Sequence, residues 1–275
     1  MGNRIMMKTI LLTGAGGIVG RAIRPGLARH HEQIVVSDIE ELSDLGEGER
    51  FEKGDLGDLE FLLKVTKEVD GIVHLGGLVG ADYTFDEVLK PNIVGAHNVL
   101  EAARINGISR VVYASSAHVV GFMKRGEQID HESFPRPNGQ YAVSKALGEM
   151  EASYYADKFG LNVLAIRIGY VGDDLGKERR LRTWVSARDL VQLIEIGLNK
   201  DVGFEVVYGV SENPEPFFDN SNAFRLGYQP QDRSVDFVKD PAVLEQRPDL
   251  SLIEDGVVGG GFAAAGFAGD PKRIL

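Results

Sequence analysis

No cysteine occurs among the 275 residues of this chain, which excludes a disulfide framework, an iron–sulfur cluster, a thiolate zinc site and a cysteine nucleophile. Stability must therefore come from an ordinary hydrophobic core, and a reducing, intracellular setting fits best. Long apolar runs are also missing: none approaches the ~18 residues of a membrane span. Residues Met1 to Met6 lack the apolar stretch of a signal peptide, and Met6 stands where a myristoylation signal requires Ser or Thr. A soluble, cytoplasmic protein is expected. Basic residues are outnumbered, 30 against 41 acidic, for a net charge of −11. That balance argues against nucleic acid or an anionic membrane as the main partner, because either needs clustered Lys and Arg. It still allows a local basic site for a small anion. Glycine, in contrast, is plentiful at 34 residues, about 12% against a usual share of roughly 7%. The excess signals either low complexity or many places where backbone comes close to something.

The length allows one large domain or one and a half at about 150 residues each. Short β-branched runs alternate with longer amphipathic stretches: Lys8 to Thr13, Gln33 to Ser37, Gly71 to Leu75 and Arg110 to Ser115 read as strands. Helices are expected over Gly17 to His30, Asp58 to Val69 and Val88 to Asn106. Continuous apolar strands separated by helices are what a parallel sheet covered on both faces requires. The expected architecture is therefore α/β, a Rossmann-type doubly wound parallel sheet. A loop from Phe134 to Gln140 leads into a helix from about Gln140 to Phe159, stopped by Gly160. Leu161 to Ile168 and Phe204 to Tyr208 read as further strands, and Ala187 to Leu198 as a helix. Beyond Gly209 the signals thin out, with a helix start near Phe224 and a Gly/Ala-rich tail from Gly256 to Gly269. Residues 1–169 are expected to form the nucleotide-binding core, with 170–275 completing the sheet and building a small C-terminal substrate-binding cap within one integrated domain.

The first strand runs into Thr13-Gly14-Ala15-Gly16-Gly17-Ile18-Val19-Gly20 and then directly into a helical pattern. Gly14 permits a tight turn, Gly17 lets backbone amides approach a pyrophosphate at a helix N-terminus, and Gly20 allows close helix–sheet packing. The position between strand and helix is what makes this pattern informative in a glycine-rich chain. Asp38 ends the second strand, 18 residues after Gly20. A carboxylate there accepts hydrogen bonds from an adenosine ribose diol and repels a 2′-phosphate, favouring NAD over NADP. Asp55-Leu56 and Leu75-Gly76-Gly77 close the next strand units on the same edge, where they can bracket adenine and the phosphates.

Tyr141 and Lys145 are four residues apart in a helix, so both project from one face. A neighbouring ammonium and the positive helix end both favour phenolate, so a lowered Tyr141 pKa and a role as general base are expected. Tyr154 and Lys158 share the spacing, but at ~100° per residue Tyr154 is turned roughly 220° from Tyr141. Only one pair can face a cofactor, and the small residues Ala142, Ser144 and Ala146 favour Tyr141. The strand from Arg110 ends in Ser115-Ser116-Ala117-His118 at the sheet edge where ligands of such folds bind. A serine hydroxyl there can bond the reacting oxygen, and His118 either contacts substrate or is structural. His74 reads as a core histidine, and no metal-ligand spacing appears.

These residues resemble the extended short-chain dehydrogenase/reductases, by TGAGGIVG at 13–20, SSAHVVG at 115–121 and YAVSK at 141–145. Within them the chain is similar above all to uronate dehydrogenases, by HLGG at 74–77, PRPNGQYAVSKALGE at 135–149, RIG at 167–169, RRLRTWVSARDLVQLIE at 179–195, VVYGVSENPEPFFDNS at 206–221 and LGYQPQD at 226–232. The resemblance implies Tyr141 as base, Lys145 as its electrostatic partner and nicotinamide-ribose ligand, and Ser116 as the hydroxyl at the reacting oxygen. It implies NAD contacts from Gly14, Gly17, Ile18, Val19, Gly20, Asp38, Ile39, Asp55, Leu56, Leu75, Gly76, Gly77 and Ile168, together with Tyr141 and Lys145. Arg179 matches the arginine that holds the substrate carboxylate in uronate dehydrogenases; read without the resemblance, it is a solvated charge in the run 177–180. Val79, Ser116, Ala117, His118, Tyr141, Tyr170 and Arg179 complete the implied sugar pocket. Three positions depart from the pattern: Ala117 stands for Asn, and Tyr170 and Val79 each stand for Ser. Lost polar partners there alter hydroxyl recognition.

The expected activity is NAD-dependent oxidation of a sugar or sugar acid at C1 to the lactone. The expected partner is that small molecule, with no nucleic acid and no membrane; a homo-oligomer is compatible. One rival is a sugar-phosphate dehydrogenase with Arg179 and Arg182 on phosphate. Another is a nucleotide-sugar epimerase or dehydratase, although the latter would want acidic residues just after Ser116. A third is an NAD-binding sensor without turnover, for which an intact Tyr/Lys pair is not needed.

Overall fold

The computed structural model describes residues 7–275, so the reading of Met1 to Met6 lies outside the described residues. Its strands are β1 (Thr9–Thr13), β2 (Gln33–Asp38), β3 (Glu49–Lys53), β4 (Gly71–His74), β5 (Arg110–Ser116), β6 (Asn162–Ile168) and β7 (Phe204–Gly209). They form one sheet in the order β3-β2-β1-β4-β5-β6-β7, every pair parallel. The expected doubly wound architecture is present, and its order reverses between β1 and β4, the crevice where such sheets take ligands.

Burial on both faces explains the continuous apolar strands. Ile10 and Leu12 of β1 face one core with Ile23 and Leu27 of α1 (Ile18–Leu27) and with Leu190 and Ile194 of α7 (Ala187–Asn199). Leu11 faces the other, with Leu62 of α2 (Leu59–Val65), Val99 of α4 (Gly95–Asn106) and Tyr155 of α5 (Gln140–Phe159). Gly160, at φ +75°, ends α5 in the left-handed conformation that glycine adopts without steric cost. Helices α1 and α2 are shorter than expected, ending at Leu27 and Val65.

Two elements depart from the sequence reading. β3 was not expected because its sequence, ERFEK, has no apolar run. It is held instead by β2 and by Glu49, which accepts from Arg24 Nε at 2.9 Å within a nearly buried ion pair. The helix expected from Val88 begins earlier, as α3 (Phe85–Val88), where Thr84 and Glu87 form a capping box. It then widens into a π-helical turn over Leu89–Val94 before α4. Pro91 lies in that turn and has no N–H to donate, which the wider winding accommodates.

The C-terminal segment carries α6 (Glu178–Thr183), α8 (Ser221–Arg225), α9 (Ile253–Gly256) and α10 (Gly261–Ala264). Its Gly/Ala-rich tail is ordered against the loop after β5: Val258 N–H donates to Met123 O at 3.0 Å and Gly259 N–H to Gly121 O at 2.8 Å. Ile253, Val257 and Ala263 form a small core there with Phe122 and Phe267. Among the described residues, no helix is long and apolar enough to cross a membrane.

Candidate active site

The carboxyl ends of the strands open into one cleft of about 1610 Å³, lined by every residue that the sequence put forward for NAD or the sugar acid, but not by Arg182, which it offered for a phosphate. Ile18, Ile39 and Val79 leave apolar side chains exposed on its walls, which is the arrangement a buried ligand face requires.

At one end lies the glycine turn. Gly14 has φ +67°, and a side chain on it would come within 2.7 Å of Gly76 N, so the turns after β1 and β4 touch through bare backbone. Gly20 meets the turn just as closely, a Cβ there lying 2.6 Å from the carbonyls of Gly14 and Ala15. Gly17 N–H closes the turn on Gly14 O at 3.2 Å, and a Cβ on Gly17 would meet only that carbonyl, at 3.4 Å, so the space over the helix N-terminus is clear for a phosphate. Asp38 Oδ2 accepts from Gly16 N–H and Oδ1 from Ile39 N–H, both at 2.8 Å, which fixes the carboxylate at the rim. Asp55 is tied to Lys90 Nζ at 2.6 Å, and that ammonium with Gly57 N–H holds its carboxyl below the usual range. Open glycine backbone, a fixed carboxylate and apolar walls fit an NAD dinucleotide.

Tyr141 and Lys145 rise from the first two turns of α5, and Ser116 ends β5 opposite them. All three are buried. Burial pushes the Tyr141 phenol above its ordinary value and a hydrogen bond from Ser116 pulls it down; the net direction is upward, contrary to the expectation of a lowered pKa. The physical reason is desolvation of the phenol, which outweighs the Ser116 hydrogen bond. Lys145 Nζ is 6.0 Å from the Tyr141 ring centre and 5.2 Å from that of Tyr113, and its own desolvation lowers it to about 8. Tyr154 is half exposed and packs edge-on against Tyr155 and Phe159, so it faces away, as its rotation predicts.

His74 is fully buried and bonded through Nδ1 to Thr13 Oγ1 at 2.8 Å, a core histidine as expected. His118 lies on the cleft wall. With the Asn138 amide turned so that its oxygen faces His118 Nδ1 at 3.1 Å and Ala263 N–H at 3.2 Å, that nitrogen carries the proton. Nε2 is then an acceptor. Burial lowers both imidazoles to about 3, His74 with help from the Lys145 charge and His118 from that of Arg179. Between pH 6.5 and about 3 the unfolded chain therefore binds protons that the folded chain refuses, so stability falls as pH drops through that window. Melting temperatures should decline accordingly, with a shallower slope for His74→Gln; an unchanged slope would contradict these assignments.

Arg179 differs from its neighbours. Arg125 pairs with Glu178 at 2.9 Å, Arg180 with Asp174, and Arg182 with Glu178 and Glu215. Arg179 is partly buried, has no carboxylate within 4.0 Å among the described residues, and donates Nε–H to Val258 O at 2.8 Å. Burial and the charges of Arg125 and Arg180 lower its pKa to about 10 against the smaller opposing pull of Glu178 and Glu254, so the cation is left without a direct carboxylate partner. Gly260 lies directly over it at φ +62°, where a Cβ would stand 2.4 Å from Nε.

Sequence reasoning missed several participants. Phe262 stacks on His118 with centroids 4.3 Å apart and planes 12° off parallel, and it closes the cleft from the tail. Asn92, on the π-helical turn, accepts from Leu78 N–H at 2.7 Å and donates to Ser144 Oγ at 2.9 Å, joining the loop after β4 to α5. The available signals were an aromatic inside a glycine-rich tail and a polar residue inside an amphipathic helix.

Residues 10–171 match the NAD dependent epimerase/dehydratase family, and the chain belongs to it. It is 40% identical over 261 residues to a uronate dehydrogenase of Pseudomonas putida, covering 94% of this chain and 96% of that protein. Among solved structures it resembles a glucuronic acid dehydrogenase from Chromohalobacter salexigens, with TM-score 0.89 and 37% identity over 97% of this chain and 99% of that one. It also resembles a uronate dehydrogenase from Agrobacterium tumefaciens, with TM-score 0.86 and 36% identity over 94% and 98%.

Proposed function

We propose that the chain is an NAD-dependent dehydrogenase of sugar acids, oxidising the C1 hydroxyl of a cyclic aldouronate to the lactone. The observation that carries this reading is the Arg179 guanidinium, without a paired carboxylate among the described residues, in the cleft that holds Ser116 and Tyr141. A guanidinium fork pairs with a carboxylate in bidentate fashion. The phosphate reading invoked Arg182 beside Arg179, but Arg182 does not line the cleft and is paired with Glu178 and Glu215.

Bound along the glycine turn, NAD supplies a hydride acceptor and a positive nicotinamide charge that favours the Tyr141 phenolate. Ser116 donates a hydrogen bond to the reacting oxygen, and Tyr141 takes the hydroxyl proton as the C1–H electron pair leaves and the carbonyl forms. Lys145 holds the nicotinamide ribose. His118 Nε2 accepts from a sugar hydroxyl, with Phe262 against its ring. Val79, Ala117 and Tyr170 line the same pocket with no carboxamide or serine hydroxyl, so hydroxyl selection rests on fewer polar partners.

The test is absorbance of reduced nicotinamide with a panel of uronates, neutral aldoses and sugar phosphates. Turnover confined to uronates is expected; preference for a sugar phosphate would favour the rival dehydrogenase, and silence across the panel a non-catalytic NAD-binding protein. The cofactor preference follows from Asp38. Replacing it with Ser removes a carboxylate–phosphate repulsion worth about 2–4 kcal/mol and should narrow the NAD-over-NADP ratio of kcat/KM by ~30- to 1000-fold. An unchanged ratio would remove Asp38 from the ribose site.

A further inference from the structure

The proposed catalytic groups come from two elements, Ser116 from the end of β5 and Tyr141 with Lys145 from the start of α5, so their spacing depends on how the helix is seated on the sheet. Tyr141, Lys145 and Glu149 succeed one another at intervals of four and share one helix face. Glu149 belongs to no cofactor or substrate contact and does not line the cleft. Its carboxylate is nonetheless buried and fully engaged. It accepts from Ser115 Oγ at 2.5 Å and takes a two-pronged contact from Arg167, Nε and Nη2 each at 2.9 Å. Arg167 also donates to Tyr208 Oη at 3.1 Å, and Tyr208 donates to Asp130 O at 2.9 Å. One side chain of α5 is thereby joined to β5, β6, β7 and the loop after β5. Gly148 beside it lets the helix sink onto the sheet, since a Cβ there would lie 2.0 Å from Tyr113 Oη.

We propose that Glu149 and Arg167, with Ser115, form a positioning clamp that sets the register of α5 against β5 and so fixes the distance of Tyr141 and Lys145 from Ser116. This rests on the dehydrogenase reading above. A buried ion pair is weak evidence for stability, because apolar replacements of similar volume are often neutral or stabilising. What it does supply is direction: a planar fork on a carboxylate admits one geometry, whereas apolar side chains in the same space slide and rotate. Ser115 is the neighbour of Ser116, so the hydrogen bond that seats the helix is made one residue from the reacting oxygen's partner. Displacement of reacting groups by about 1 Å costs on the order of a hundredfold in rate.

The test compares wild type with the double variant Glu149→Leu/Arg167→Met, which removes both charges together. The clamp predicts a folded protein with little change in melting temperature. Its kcat should fall by about tenfold to a hundredfold, with KM for the sugar acid within about threefold. Hydride transfer should become more rate-limiting, so the isotope effect on kcat with C1-deuterated substrate should rise. A folded double variant with wild-type kcat and isotope effect would overturn the clamp. Should the double variant fail to fold, Ser115→Ala decides: it deletes one hydroxyl and keeps the ion pair, and an unaltered kcat and isotope effect there would equally overturn it. A wild-type chain inactive toward uronates would sink the functional reading instead, and the clamp would then be judged by the same variants on whichever neutral aldose or sugar phosphate the wild type oxidises.

Discussion

Tyr141→Phe is expected to lower kcat by ~10²- to 10⁴-fold, the range that a positioned general base contributes. The phenol is the only group in this account that takes the substrate proton. Its burial raises the pKa, so the group is protonated until ligands bring positive charge beside it. Phenylalanine keeps the ring and its packing and loses only the hydroxyl, so the fold should persist. NAD affinity should change little, because the residues proposed to hold the dinucleotide, Gly14, Gly17, Gly20 and Asp38, lie at the other end of the cleft. Steady-state kinetics with a melting curve check this. A variant that turns over within a few-fold of wild type would assign proton transfer to another group.

The second large effect is expected at Arg179. Replacing it with Ala removes the cation proposed to meet the substrate carboxylate, and truncating one partner of a buried, hydrogen-bonded charge pair costs about 2–5 kcal/mol. That corresponds to a loss of ~30- to 5000-fold in kcat/KM for a uronate. A neutral aldose makes no such pair, so its kcat/KM should stay within about threefold and the preference for the acid should collapse. The guanidinium is held from behind by Val258 O, and Arg180 and Arg182 are engaged elsewhere, so neither neighbour should restore the preference. An equal loss on acidic and neutral sugars would show that Arg179 supports the pocket without recognising the anion.

Much of this was legible in the sequence because the signals are local. A strand, a glycine turn and a helix in immediate succession declare a phosphate site, and the interval of four between Tyr141 and Lys145 declares a shared face. What was not legible depends on partners distant in the chain. β3 is a charged segment held as a strand by its pairing with β2 and by the buried pair of Arg24 with Glu49. The tail from Gly256 to Gly269 has no periodicity to read. Its glycines matter because Gly259 and Gly260 run against Asn138 and Arg179, contacts that a Cβ would close to 2.3 and 2.4 Å. Phe262 becomes a wall of the cleft only through that same fold-back. Two absences and an excess in the composition thus acquired meaning: without cysteine or a metal spacing, the proposed chemistry runs through a phenol and a bound dinucleotide, and the glycine surplus marks the places where backbone meets both.

The central claim is that a hydride leaves C1 of a sugar acid for the nicotinamide while Tyr141 takes the hydroxyl proton. Deuterium placed at C1 of a uronate tests it most directly, with the reduced cofactor recovered and weighed by mass spectrometry. The account predicts one deuterium per reduced nicotinamide formed, alongside the unlabelled lactone. Reduced cofactor without deuterium, or product that keeps it at C1, would contradict the account.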